Sequence, residues 1–361
     1  MRKELSVILI TGTFIGIAAV VLVLLGNLPN MGFCIACFER DITGALGLSD
    51  FRDFAWIRPE IIGILLGAFL AAFFTKEFHS EGGSSPITRF LLGMFVMIGA
   101  LAFLGCPLRM ILRMGGGDLN AVVGLIGFTV GIAVGVMFLK KGFVLGRTQK
   151  QPELESSVMP VIMVGLLMLL IFLPVFKASG PIFVAGKGHV GADGTSVSQN
   201  IGIIISLGIG LLVGILAQRS RLCLAGGIRD IILIRNGVLM SGFIAILLFT
   251  LVCNIILGNF HLGFENQPIA HSAHLWNFLG MTLVGLGSTF LGGCPLRQLV
   301  LAGNGNTDSA LTILGMFAGA AFAHNFGLVK AASIYGKGAV IIGLIVILII
   351  GYINREKSNA Q

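Results

Sequence analysis

The chain has 361 residues, of which 56% are hydrophobic and only 11% are charged. Soluble domains average about 25% charged residues, so this chain has too few polar side chains to cover a surface that faces water. Its formal net charge of +8 argues little for nucleic-acid binding, because the Lys and Arg residues mostly flank apolar runs, as membrane orientation requires. Composition therefore predicts a protein that is surrounded by membrane lipid and has no nucleic-acid partner.

Ten apolar runs have about the length that is needed to cross roughly 30 Å of hydrocarbon. The first run follows the N-terminus directly and lacks the short apolar core and cleavage site of a signal peptide, so we expect it to be retained as a span. One or two runs are candidates for half-spans, which predicts an all-α integral membrane protein with about 9–10 transmembrane helices. In chain order the runs are residues 5–26, 60–75, 87–104, 119–139, 158–176, 199–217, 237–258, 274–292, 308–328 and 334–353.

The distribution of Lys and Arg between these runs predicts how the chain is oriented. If the N-terminus is cytoplasmic, most basic residues fall on the cytoplasmic side, including Lys140, Lys141, Arg219 and Arg221. The Gly-rich loop 177–198 is then external. We therefore expect a multi-pass protein of the inner (plasma) membrane with both termini in the cytoplasm.

Two short motifs occur twice in the chain. Gly105–Arg109 and Gly293–Arg297 both read Gly-Cys-Pro-Leu-Arg, 188 positions apart. The stretches Cys34–Asp41 and Cys223–Asp230 share a Cys at the start and an Arg-Asp pair at the end, 189 positions apart. Two motifs that recur in the same order at nearly the same offset indicate an internal duplication.

The duplication maps the first predicted span onto the sixth. Because this is a displacement by an odd number of spans, the second copy is predicted to be inverted in the membrane, as in many transporters. The predicted organisation is repeat 1 over residues 1–139, a cytoplasmic connection, linking helix and external loop over 140–198, repeat 2 over 199–330, and a closing helix with a short cytoplasmic tail over 331–361.

The four motifs lie between spans, in segments of about 12–18 residues that are too short to cross the membrane and return as full helices. These segments are apolar yet carry charge, which predicts four short re-entrant segments that are buried in protein or line a cavity. Pro favours the first position of a helix, so Cys106 and Cys294 are predicted to lie at the N-terminus of a short helix. Such a terminus stabilises a thiolate and attracts an anion.

Arg109 and Arg297 follow these Cys residues by about one helical turn, and a guanidinium binds an oxyanion through two parallel hydrogen bonds. We predict that both guanidinium groups, together with the helix N-termini, stabilise an anion. Four thiols occupy equivalent positions in the two copies, and we predict that they line the path of this anion. They belong to Cys34, Cys106, Cys223 and Cys294.

Arg40-Asp41 and Arg229-Asp230 are predicted to hold the short segments in place. Neighbouring residues of a helix do not face each other, so we expect each Asp to pair with an Arg from another segment. Cys37 has Gly226 at the matching position of the second copy. We assign no path role to Cys37, and Cys253 is predicted to be a packing residue.

The spacing of the Cys residues is not that of a zinc or iron–sulfur site, since a second Cys-x-x-Cys pair is missing. The six His residues also lack metal-ligand spacing. We therefore predict no metal and no cofactor. A Walker-type phosphate-binding motif is absent from the sequence, so no ATPase is predicted within the chain.

Together the motifs resemble the YeeE/YedE family of membrane proteins, also called the sulfur-transport family. The resemblance extends over nearly the whole chain and is closest to the YedE branch, which is linked to selenium metabolism. It implies uptake of thiosulfate or a selenium analogue along a central line of Cys residues in an hourglass-shaped protein. It also implies a cytoplasmic partner, a small TusA-like sulfur carrier. The similarity rests on Cys34, Gly105–Arg109, Arg221–Gly227 with Arg229-Asp230, and Gly293–Arg297.

Motifs and resemblance together predict a membrane permease for a small sulfur- or selenium-containing anion, not an enzyme. The alternative is a membrane-bound thiol sulfurtransferase or redox protein, which the same Cys residues and the Cys34-x-x-Cys37 pair suggest. A purely structural scaffold is disfavoured, because charge inside a membrane is costly without a purpose.

Overall fold

A computed structural model describes residues 2–51, 55–172, 199–329 and 333–355 of the protein. Helices dominate these residues, and two short antiparallel strands, β1 (Glu81–Gly82) and β2 (Gln149–Lys150), pair with each other. The helices in chain order are α1 (Arg2–Leu24), α2 (Ile35–Ala45), α3 (Pro59–Phe74), α4 (Pro86–Phe103), α5 (Pro107–Gly115), α6 (Leu119–Lys140), α7 (Glu153–Ser156), α8 (Val158–Phe172), α9 (Gln199–Ser220), α10 (Leu224–Ile234), α11 (Val238–Ile256), α12 (His274–Leu291), α13 (Pro295–Gly303), α14 (Thr307–Asn325) and α15 (Ile334–Ile353).

The long helices coincide with the ten predicted spans. By length and composition, 7 helical segments of the described chain are apolar enough to cross a membrane, and α3 and α8 are shorter apolar helices. The predicted all-α integral membrane protein is thereby confirmed. The external loop 177–198 and the end of the predicted span 158–176 lie outside the described residues.

Four short helices occupy the four motif segments. α2 and α10 each have 11 residues, and α5 and α13 each have 9. At about 1.5 Å per residue, none of them is long enough to cross a bilayer. Nearly all residues of α2 and α5 are buried. Re-entry of these segments into lipid stays a prediction, because their depth in a membrane does not follow from their length alone.

The helices of the two copies pack in exchanged pairs. Helices α1 to α6 correspond in order to α9 to α14. α3 of the first copy lies against α9 of the second, and α11 of the second lies against α1 of the first. The pairs α4–α14 and α12–α6 are related in the same way. A pseudo-twofold axis therefore relates the two repeats.

The direction of this axis follows from α4 and α12, which are equivalent helices in direct contact. Gly99 of α4 faces Gly280 and Val284, whereas Val96, one turn earlier, faces Gly287, further along α12. The two helices therefore run antiparallel, and the axis that exchanges them lies across the helices. For helices that cross a membrane, this is the geometry of an inverted repeat, as the odd number of spans predicts.

Glycines allow α6 and α12 to approach closely. A Cβ atom on Gly127 would lie 2.1 Å from the carbonyl oxygen of Phe278, and one on Gly131 would lie 2.2 Å from that of Thr282. In the exchanged pair, Gly315 of α14 meets the carbonyl oxygen of Phe90 at 2.1 Å in the same way. Such small residues let helix backbones touch in lipid, where the hydrophobic effect does not drive helices together.

Replacing Gly127 by Ala should push α6 away from α12 and lower the free energy of unfolding by roughly 1–3 kcal/mol, as overpacking does elsewhere. Gly165→Ala in α8 is the matched control, because nothing lies within 4 Å of a Cβ atom at that position. The measurement is the midpoint of thermal unfolding in detergent. Equal midpoints for the two variants would contradict the close approach of α6 and α12.

Candidate functional site

A motif Cys stands immediately before each of the four short helices. Cys34 and Cys223 each accept a hydrogen bond from the backbone N–H three residues further along, at 3.3 and 3.2 Å. Cys106 and Cys294 adopt extended backbone directly before the proline that begins α5 or α13, as predicted. Sulfur therefore occupies the position where a side-chain oxygen usually caps a helix.

The four thiols form two pairs, one in each copy. In the second copy the Sγ atoms of Cys223 and Cys294 are 3.8 Å apart, and the backbone N–H of Cys294 donates to Cys223 Sγ at 3.4 Å. In the first copy the backbone N–H of Ile35 donates to Cys106 Sγ at 3.3 Å, which places Cys106 beside Cys34. Each pair joins the N-termini of two short helices, where the helix dipoles leave partial positive charge.

All four thiols are free and almost completely buried. The described residues contain no group of three or more His, Cys, Asp or Glu side chains that could hold a metal ion. The pairs are therefore arranged as thiols that face each other at helix ends. A weak S–H donor in such a place can contact an anion without holding it tightly.

Arg109 is fully buried, and backbone carbonyls take up its guanidinium group. It donates to the carbonyl oxygen of Asn30 at 3.1 Å, to that of Ile269 at 3.2 Å, and to that of Leu104. Nη1 also lies 3.8 Å from Cys37 Sγ. Arg109 thus ties together the segment before α2, the turn between α4 and α5, and the loop before α12.

Arg297 occupies the equivalent position in the second copy, but its guanidinium group is used differently. Its Nη1 atom is buried and has no hydrogen-bond partner among the described residues. Arg297 follows Cys294 by three residues, so it lies about one turn along the helix that begins at the Cys223–Cys294 pair. A guanidinium that lies near a thiol pair and has a spare donor is suited to hold a small anion.

The turn before the Gly-Cys-Pro-Leu-Arg helix is bound by different side chains in the two copies. Gln298 Nε2 donates to the carbonyl oxygens of Leu291 and Gly293, at 3.0 and 3.4 Å. It thereby binds the turn between α12 and α13. At the equivalent turn of the first copy, Arg109 binds the carbonyl oxygen of Leu104 and Arg113 binds that of Phe103. Met110 stands at the matching position of the first copy and has no amide to donate. This difference, together with Leu301 at the position of Arg113, was a signal in the sequence that had no place among the predictions.

Cys37 also belongs to the cluster of the first copy, although no path role was predicted for it. It is buried beside Arg109, and its backbone N–H is the donor to Cys34 Sγ. In the second copy Gly226 supplies the same backbone donor without a side chain. The thiol of Cys37 is therefore extra to the repeated geometry. Cys253 is half-buried in α11, and its packing role stays a prediction.

Asp41 joins two buried guanidinium groups. Its Oδ1 lies 2.7 Å from Arg40 Nη2, and its Oδ2 accepts from Arg58 Nε at 2.7 Å. Arg58 comes from the segment before α3, as expected of a partner from another segment. The pairing with the direct neighbour Arg40 was not expected; the long Arg side chain bends back along the helix to reach it.

Asp230 contradicts the predicted pattern. Among the described residues it pairs only with its neighbour Arg229, at 2.9 Å, and the two side chains are 22% and 31% exposed. The reason is the length of the following connection. Residues 46–58 separate α2 from α3 and carry Arg58, whereas only residues 235–237 separate α10 from α11. The second copy therefore has no counterpart of Arg58.

Replacing Asp41 by Asn should lower the free energy of unfolding by roughly 3–5 kcal/mol, since it leaves two buried guanidinium groups without a counter-charge. Asp230→Asn is the matched control and should cost no more than about 1 kcal/mol, because its ion pair is partly solvated. Thermal unfolding of the two purified variants measures the difference. Similar losses in both variants would contradict the structural role of Asp41.

Comparison with known families agrees with this geometry. Residues 219–345 match the model of a protein family described as Sulphur transport. The matched stretch runs from the end of α9 into α15, so it contains the Cys223–Cys294 pair and Arg297. No curated protein matches the chain. The family match and the apolar helices together support a multi-pass membrane protein that transports a sulfur compound.

Proposed function

We propose that the protein is a permease that takes up a small sulfur- or selenium-containing anion, with thiosulfate as the reference substrate. The observation that carries the proposal is the Cys223–Cys294 pair, with Sγ atoms 3.8 Å apart, at the start of the helix that carries Arg297 one turn later. The Nη1 atom of Arg297 has no partner among the described residues. Thiols, helix N-termini and a cation converge there, which suits an anion that is soft at sulfur or selenium and charged at oxygen.

Weak binding at several places supports transport better than one tight site. An S–H group is a weak donor, and a conduction path needs binding that is favourable enough for entry yet weak enough for release. Two thiol pairs related by the repeat provide two such places. The Cys34–Cys106 pair serves one half of the path and the Cys223–Cys294 pair serves the other.

The two arginines divide the work in this proposal. Arg297 binds the anion. Arg109 binds the turn between α4 and α5, the segment before α2 and the loop before α12, and these surround the Cys34–Cys106 pair. Both termini are on the cytoplasmic side of the inner membrane. A small cytoplasmic carrier of the TusA type is the partner that would receive the sulfur, as the family resemblance implies.

Vesicles that contain the purified protein test the proposal with a panel of anions: thiosulfate, sulfite, sulfate and selenite. Uptake of labelled thiosulfate or selenite above that of empty vesicles is expected, with sulfate excluded because it offers no soft atom to a thiol. Uptake of sulfate at the same rate would contradict a thiol-lined path. The ranking of thiosulfate against selenite distinguishes a sulfur substrate from a selenium substrate.

Replacing the four paired Cys residues by Ala should abolish most of this uptake, because both thiol pairs are removed. The control is Cys253→Ala, since that residue is half-buried in α11 and lies in neither pair. Initial rates of labelled thiosulfate uptake measure the effect. A quadruple variant that folds and transports at the wild-type rate would rule out the thiol path.

Arg297→Gln should raise the half-saturation concentration for thiosulfate by roughly 10- to 100-fold, since a hydrogen bond to a charged group contributes about 1.5–3 kcal/mol. The melting temperature of this variant should change little, because the Nη1 atom of Arg297 has no hydrogen-bond partner among the described residues that the substitution could remove. Arg109→Gln should behave in the opposite way and lower the melting temperature, as it removes bonds to three segments. Equal effects of the two variants on affinity would contradict the division of roles.

The alternative, a membrane-bound sulfurtransferase, is favoured by one observation: two buried thiols that lie 3.8 Å apart. A Cys223 thiolate that attacks the outer sulfur of thiosulfate would form a persulfide and release sulfite, with no other reactant needed. Mass spectrometry of the protein during turnover would then show a gain of one sulfur atom on the peptide that carries Cys223. Uptake without any such adduct favours the permease.

A further inference from the structure

A carboxyl group inside the first copy has no role in the site described above. Glu39 of α2 is 0% exposed, and neither of its side-chain oxygens has a hydrogen-bond partner among the described residues. An ionised carboxylate in that position would lose its hydration without compensation, so the neutral, proton-bearing acid is the form that the site tolerates. Intramembrane carboxyl groups of this kind are typical of proton pathways.

The charged neighbours of Glu39 on its own helix are committed to other partners. Arg40 and Asp41 pair with each other, and Arg58 completes that cluster. The Cys34 and Cys37 thiols lie on another side of α2, because residues two and five positions apart point in different directions on a helix. Neither gives Glu39 a hydrogen bond.

The elements that pack against α2 are α3, α4, α13 and α14, and none of their charged groups pairs with Glu39. On α3, Glu60 accepts from Asn27 at 2.9 Å. On α4 and α14, Arg89 and Asp308 pair with each other at 3.2 Å.

The two remaining groups are Arg297 of α13 and His324 of α14. Arg297 has an Nη1 atom without a partner, and the His324 ring lies against Phe51 with ring centroids 4.6 Å apart. Among the described residues, no charged group of these elements makes a hydrogen bond to the Glu39 oxygens.

Packing does not require a carboxyl group at this place. The matching residue of the second copy is Ile228, which is buried in α10. The same fold therefore accepts an apolar side chain of similar length there, at a lower cost of burial. A carboxyl group that the fold does not need points to a function in binding protons.

We infer that Glu39 is a proton-binding site that couples uptake of the anion to inward movement of protons. The inference rests on the proposed function. Glu39 takes one proton from the outer side as the anion enters and returns it to water on the inner side when the anion leaves. An inside-negative potential opposes the entry of an anion, and each proton that enters with it cancels one negative charge.

The test uses the purified full-length protein in vesicles with thiosulfate and selenite as probes, valinomycin and potassium to hold the potential at zero, and a pH dye inside. Addition of the transported anion outside should acidify the lumen of wild-type vesicles. A gradient of one pH unit, acid outside, should raise the steady-state accumulation of the anion about tenfold for each coupled proton.

Glu39→Gln keeps the shape of the side chain but cannot release a proton. This variant should still exchange external for internal anion, without lumen acidification and without a response to the pH gradient. Glu60→Gln is the matched control, a second carboxyl group that is fully buried, and it should keep both responses.

Wild-type uptake that leaves the lumen pH unchanged overturns the inference and leaves the proposed function standing; this measurement needs no variant. Lumen acidification by Glu39→Gln equal to that of wild type overturns the assignment to Glu39. Wild-type vesicles that take up neither probe overturn the proposed function, and the inference with it.

Discussion

Helix ends inside a membrane protein have no water to satisfy them, and this constraint shapes the centre of the molecule. Four short helices begin within the packed protein, and the first turn of each leaves backbone N–H groups without a partner from its own helix. Sulfur atoms of the motif Cys residues take up several of these donors, both within a helix and between the two helices of a pair. Stability and chemistry therefore depend on the same atoms, because the thiols that cap the helices are also the thiols that a substrate would meet.

The turns before α5 and α13 have carbonyl oxygens that need a hydrogen-bond donor, and the two copies provide this donor from different side chains. The guanidinium groups of Arg109 and Arg113 bind the carbonyl groups of one turn, and the Gln298 amide binds those of the other. A duplicated motif can thus keep its sequence while one copy becomes a structural clamp and the other keeps a free cation. Strict symmetry would have left either two clamps or two open sites.

The local features could be predicted from the sequence. The long apolar runs predicted the long helices, and a Cys before a Pro predicted where a short helix begins. The odd displacement of the repeat predicted the antiparallel arrangement of α4 and α12. The role of each charged residue could not be predicted, because it depends on distant neighbours. Arg58 lies outside the repeated motifs, yet it is buried against Asp41. Gln298 binds the turn before α13 in place of a guanidinium group, and whether Asp230 has a second partner depends on the length of the next connection.

The asymmetry between the copies also suggests why a duplicated protein keeps two unlike halves. Transport of an anion into a negatively charged compartment needs a place for the anion and a means to offset its charge. In the second copy, a cation with a spare donor lies on the helix that begins at the thiol pair. The equivalent cation of the first copy binds backbone carbonyl groups, and this copy carries a buried acid that has no hydrogen-bond partner among the described residues. Placing the two charges in different copies keeps them from neutralising each other permanently, as a direct ion pair between Arg297 and Glu39 would. In the proposed function, an anion that enters between the copies would interact with both.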